Sequence, residues 1–194
     1  MSSKAAQYNN EAKLKKMLIS ANDYQRMGAI GIFEDKPRVE LIDGEIYTIS
    51  PITPNHNSHV DKTAEFFTIK LFGKAKIRTQ GSIRTDEYSE LEPDITVLRY
   101  DENFYNEKQP TAKDILLIIE VAVFTATSDR TIKKKKYASV GIPEYWITFP
   151  KEKTIEVFRK PKNEDYLEKS TYEKTDEWIF KTFDLAVQGS DFLI

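Results

Sequence analysis

The chain has 194 residues, of which 40% are hydrophobic, 31% charged and 12% aromatic, a balance that excludes a disordered or fibrous protein. It has no cysteine, which excludes a disulfide framework, a zinc ribbon and a cysteine nucleophile and fits a reducing compartment. Lys+Arg of 29 against Asp+Glu of 31 leaves a formal net charge of −2, so contact with nucleic acid has to come from a local patch. No apolar run approaches the ~20 residues that span a bilayer, and the N-terminus has no apolar leader, so the expectation is a cytoplasmic protein with no membrane partner.

In chain order, Met1–Asn10 is polar, and Glu11–Ile19 predicts a short helix with Leu14, Met17 and Leu18 on one side. Ser20, with Asp23 three positions on, predicts a cap and a second short helix through Tyr24 and Met27, with Gly28 and Gly31 as stops. Val39–Ile42 and Glu45–Ile49 flank Asp43-Gly44, a strong signal for a β-hairpin. After a turn-rich stretch, His56–Phe72 repeats Val60, Ala64, Phe67 and Leu71 at helical spacing. Strands are expected over Ile77–Arg84, Pro93–Leu98, Ile115–Val123, Tyr145–Phe149 and Thr154–Arg159, with weaker ones over Tyr166–Tyr172 and Trp178–Phe180. The unbroken run Leu116–Ile119 reads as a central strand covered on both faces. One helix, Ser128–Val140, lies between it and the strand at Tyr145. The resulting strand, helix, strand order predicts an α/β fold with a mixed sheet and a single domain.

Two carboxylates stand in or beside apolar strands: Asp94 in Glu92-Pro93-Asp94-Ile95, and Glu120 at the end of Leu116–Ile119. A carboxylate there costs several kcal/mol unless it meets a cation or good donors. Two of them about one sheet spacing apart, ~5 Å, suit one Mg²⁺ ion; the plainer alternative is a strand-end acid facing solvent. Asp129, Lys133 and Tyr137 fall at i, i+4 and i+8 and share a helix face. Lys133 can therefore reach the carboxylates, while Lys134, Lys135 and Lys136 fan around the cylinder as a solvated surface or a phosphate-binding face. Tyr137, Tyr145 and Trp146 read as core or interface aromatics.

Taken together, Glu40-Leu41-Ile42-Asp43-Gly44-Glu45, Ser50-Pro51, His56, Glu92-Pro93-Asp94, Glu120-Val121, and Asp129, Lys133, Tyr137 and Gly141–Trp146 form a set that resembles the Uma-two family. This is a family of endonucleases in the PD-(D/E)XK, restriction-endonuclease-like superfamily, and the resemblance runs from about Ser20 to the C-terminus. It implies an extension over residues 1–19, partly helical, and a domain over 20–194 in which a mixed central β-sheet is flanked by helices. It also implies a Mg²⁺ site, with Mn²⁺ as substitute, in which Asp94 and Glu120 match the motif's two acids. Two positions after Glu120 stands Ala122 where the superfamily's plain pattern has lysine, and Lys133 matches the family's relocated lysine. The segment Val123–Ser128 departs from the family's usual loop. The backbone carbonyl of Val121 is a further metal ligand in this scheme, and His56 and Glu40 are second-tier catalytic candidates. The expected reaction is metal-assisted hydrolysis of DNA phosphodiester bonds. The alternative is a weakly active or silent module that keeps the fold and binds nucleic acid or protein. A homodimer is expected from the aromatic-rich strands beyond Tyr145 and from the use of two sites on a duplex.

Overall fold

A computed structural model describes residues 15–194. Lys15–Ile19 carries no helix, and the rest of the helix expected over Glu11–Ile19 lies outside the described residues. This segment docks instead by its backbone, Ile19 N–H donating to Gly44 O at 3.0 Å. Helix α1 (Ala21–Ala29) begins where expected: the Ser20 side chain accepts from Asp23 N–H, and the helix runs through Gly28 before ending.

The hairpin of β1 (Val39–Ile42) and β2 (Glu45–Thr48) turns on Asp43 (φ 51°) and Gly44 (φ 79°), the paired positive φ values of a tight two-residue turn. Helix α2 (Pro54–Lys70) is capped by Thr53 and has proline in its first turn. The single strand expected over Ile77–Arg84 is two strands in two sheets. Gln80 takes φ 46° and Gly81 follows, so the chain breaks between β3 (Ala75–Thr79) and β4 (Ile83–Asp86). Strand β5 (Ser89–Leu91) is too short to show as a pattern. The chain then continues through β6 (Ile95–Arg99) and β7 (Ile115–Val121), whose residues are all buried.

The helix expected over Ser128–Val140 comes in three pieces: α3 (Ala126–Ser128), a π-helical turn (Asp129–Lys133) and α4 (Lys134–Ser139). It leads to β8 (Glu144–Phe149), β9 (Thr154–Lys162) and β10 (Asp165–Glu173), and the chain ends with the hairpin of β11 (Glu177–Phe180) and β12 (Leu185–Gln188).

The main sheet has the order β10-β9-β8-β7-β6-β3, and β7–β8 is its one parallel pair, joined by the helical crossover. A four-stranded sheet, β2-β1-β5-β4, lies beside it. The architecture is therefore mixed α/β, as expected. On one face of the main sheet, Val60 and Phe67 of α2, with Leu71 just after it, pack on Ile95, Val97, Leu117, Ile119 and Trp146. On the other face, Tyr137 and Ala138 of α4 pack on Ile118, Tyr145 and Ile147. The aromatic residues Tyr145, Trp146, Phe149, Phe158, Tyr166, Trp178, Phe180 and Phe192 are all buried within the chain. They fill the core, so the aromatic surplus that suggested a homodimer interface is not on the surface.

Candidate active site

Strands β6 and β7 run antiparallel with Ile95 opposite Ile119. Asp94, just before β6, and Glu120, near the end of β7, therefore sit at the same end of neighbouring strands. Asp94 Oδ2 accepts from Val121 N–H at 2.8 Å, which locks its carboxylate against the next strand. Its other oxygen, Oδ1, lies 3.0 Å from His56 Nε2. His56 stands in the first turn of α2, and its Nδ1 is buried without a hydrogen-bond partner.

Glu120 shares the α4 side of the sheet with Ile118. Its Oε1 accepts from Lys133 Nζ at 3.0 Å and from Tyr137 O–H at 2.8 Å. Lys133 Nζ also lies 3.3 Å from Oε1 of Glu40, and Glu40 in turn accepts from Glu92 N–H at 2.9 Å. The face shared by Asp129, Lys133 and Tyr137 therefore exists, and a π turn delivers its first two members. Lys134 N–H donates to Asp129 O, five residues back, which widens the helix beside the site. Asp129 is buried; Oδ2 accepts from Thr125 O–H, and Oδ1 has no partner.

All six residues singled out from the sequence line, or touch, one cleft. Glu40, His56, Asp94, Glu120, Val121 and Lys133 border it. Reading by residue type missed Asp129 as a buried charge and Arg38, which borders the cleft and pairs with Glu92 at 2.6 Å. Tyr137 is both core aromatic and polar partner, fully buried with its hydroxyl on Glu120. The other three lysines of the run are each held by acids: Lys134 by Asp165 at 2.9 Å, Lys135 by Glu164 at 2.9 Å, and Lys136 by Asp43 and Asp86. They form ion pairs, not an open phosphate-binding face.

The electrostatics follow from burial and from the crowding of carboxylates around Lys133. Burial pushes the Glu120 carboxyl well above the usual range, with Lys133 opposing and Asp94, Asp129 and Glu40 adding to the rise. Burial likewise pushes Asp129 up to about 6. Burial alone would lower Lys133, but Glu120, Glu40, Asp129 and Asp94 together hold it above the ordinary lysine value, so its charge is secure. For His56, burial pulls down, and the hydrogen bond and charge of Asp94 outweigh it, leaving the imidazole raised.

Glu40, Asp94, Glu120 and Asp129 thus gather around the Lys133 ammonium, with His56 beside Asp94 and Arg38 at the border of the cleft. Among the described residues, no three Asp, Glu, His or Cys side chains form a metal cage of the structural-zinc kind. Mg²⁺ asks for less: one or two carboxylates, with waters filling the remaining positions. Asp94, Glu120 and the Val121 carbonyl, which spends one lone pair on Val123 N–H at 3.1 Å, supply hard oxygen donors of that kind. The donor set fits a hard divalent cation.

A crystal structure from Anabaena variabilis ATCC 29413, described as that of "a putative nuclease belonging to DUF820", superposes with a TM-score of 0.59 at 18% identity, covering 80% of this chain and 89% of that one. At that identity the likeness establishes the shared fold. Residues 21–188 match the model of the Uma2 family, described as "Putative restriction endonuclease", and the chain belongs to that family. Family membership supports nuclease activity in general terms and names neither a metal nor a type of nucleic acid. No curated protein matches the chain.

Proposed function

We propose that the protein is a Mg²⁺-dependent endonuclease that hydrolyses phosphodiester bonds of DNA, with Mn²⁺ as a substitute metal. The observation that carries the reading is Lys133 Nζ held 3.0 Å from Glu120 and 3.3 Å from Glu40 in the cleft that Asp94 borders. Asp94, Glu120 and the Val121 carbonyl would hold the ion, which when bound supplies a water of lowered pKa and neutralises phosphoryl charge.

The chain's own groups have separate tasks. Lys133, its ammonium held by Glu120 and Glu40, orients the attacking water and offsets the negative charge that develops at phosphorus. Glu40 and Tyr137 are positioning residues: Glu40 steadies the Lys133 ammonium, and the Tyr137 hydroxyl fixes one oxygen of Glu120, leaving Oε2 for the ion. Asp94 is oriented by the Val121 amide on one side and His56 on the other. His56 is a positioning residue as well: its Nε2 stands 3.0 Å from Asp94 Oδ1 and its Nδ1 is buried, so the imidazole fixes the direction of the Asp94 carboxylate at the cleft.

The test is the metal dependence of cleavage. The protein is expected to nick plasmid DNA in Mg²⁺ or Mn²⁺ and not in EDTA, with Ca²⁺ supporting binding without turnover, because Ca²⁺ tolerates looser coordination and acidifies its water less. Cleavage that persists in EDTA would overturn the metal assignment. Binding of DNA without cleavage under any metal would favour a silent binding module.

A further inference from the structure

The cleft is not polar throughout. Tyr47, Ile52, Phe124 and Ile132 line it beside the carboxylates, and all four are solvent-exposed, Phe124 most of all at 66%. An apolar side chain exposed singly is ordinary on a protein surface. Four that border the same charged cleft form a surface with something to bind.

The position of Phe124 follows from the backbone. Val123 N–H turns back onto Val121 O at 3.1 Å, so the chain bends directly after β7 and carries Phe124 to the mouth of the cleft. Lys151 Nζ stands 4.8 Å from the centre of the Phe124 ring, placing a cation beside an aromatic face. In an intact duplex each base face is covered by its neighbours, and a protein meets only base edges and phosphates. An aromatic ring beside a phosphate-cutting centre therefore finds a partner only where a base has left the stack. A broad basic surface for following a duplex is also missing from the neighbouring helix. Arg130 pairs with Glu156, and Lys134, Lys135 and Lys136 are tied to carboxylates.

Resting on the nuclease reading above, we propose that the substrate is a nucleic-acid strand whose bases are unpaired at the point of cleavage. A base next to the scissile phosphate stacks on Phe124, and Lys151 meets an adjoining phosphate.

Fluorescence anisotropy in Ca²⁺ tests this without cleavage, using a labelled DNA oligonucleotide either single-stranded or annealed to its complement. The single strand is expected to bind more tightly than the duplex. Phe124→Ala should weaken single-strand binding by roughly 5- to 150-fold, the range for loss of one base–aromatic stack, and leave duplex binding unchanged, while Phe124→Trp restores it. Phe124 is exposed, so thermal melting should show both variants folded. Equal affinity for the two probes with no effect of Phe124→Ala, in a protein that still cuts duplex DNA, overturns the inference and leaves the nuclease reading standing. Failure of wild type to bind either probe overturns both.

Discussion

Asp129 is the least compensated carboxylate of the cleft, with one oxygen on Thr125 and the other on nothing. Its folded pKa of about 6 lies above the ordinary aspartate value of 3.8, so the folded state holds this proton more tightly than the unfolded state does. The stability linked to that proton is complete below pH 3.8 and is lost as pH rises through about 6. Asp129→Asn does not titrate. Urea unfolding in EDTA should therefore show the variant's advantage over wild type growing by roughly 2 kcal/mol between pH 4 and pH 7.5. A pH-independent difference would mean that the Asp129 proton is not what the fold titrates.

Lys133 and Lys135 make a sharper pair. Lys133 is buried against Glu120 and Glu40, whereas Lys135 is an exposed partner of Glu164. Lys133→Ala should abolish cleavage and also cost roughly 3–5 kcal/mol in unfolding experiments, because it strands buried carboxylates. A fall nearer zero would mean that Glu120 simply takes up a proton. Lys135→Ala should change rate and stability by little, within about 0.5 kcal/mol. Equal losses from the two would point to a diffuse basic surface.

At the scale of elements, the β1–β2 turn does more than reverse the chain. A Cβ at Gly44 would lie 2.6 Å from Leu18 Cβ, and the residue has φ 79°. Gly141 has the same φ, but nothing lies within 4 Å of its Cβ position. Gly44→Ala should therefore destabilise by more than Gly141→Ala, whose cost of about 1 kcal/mol is the backbone strain alone. Parallel denaturant titrations compare the two, and equal costs would mean that Leu18 moves aside freely. The same scale shows what was legible in the sequence. Asp43-Gly44, the apolar run of β7 and the α2 periodicity are local signals, and each formed the element they imply. The split between β3 and β4 was hidden because apolar and polar residues continue across Gln80-Gly81 without a change of pattern. The π turn was hidden because Asp129, Lys133 and Tyr137 lie on one face of an ordinary helix as well.

At the scale of the molecule, the candidate site was legible because its acids stand where an isolated strand would not tolerate them. Asp94 and Glu120 violate the apolar pattern of their strands, and the fold answers with a neighbouring-strand amide, a lysine and a tyrosine. Partners drawn from distant segments, such as Glu40 of β1 on Lys133 of the π turn and Arg38 on Glu92 beside the paired strands β1 and β5, depend on which segments the fold brings together, and periodicity within one element carries no such information. The same global view limits affinity. With a net charge of −2 and the lysine run tied to acids, DNA affinity at physiological salt should be weak, with a shallow salt dependence set by few phosphate contacts. The central claim is that the carboxylate–lysine cleft cuts phosphodiester bonds, and it rests most directly on the rate of DNA cleavage in Mn²⁺ by wild type and by Glu120→Ala purified by the same route. Cleavage by the wild type, with the Glu120→Ala rate at background, is the predicted result; equal cleavage by both proteins would contradict it.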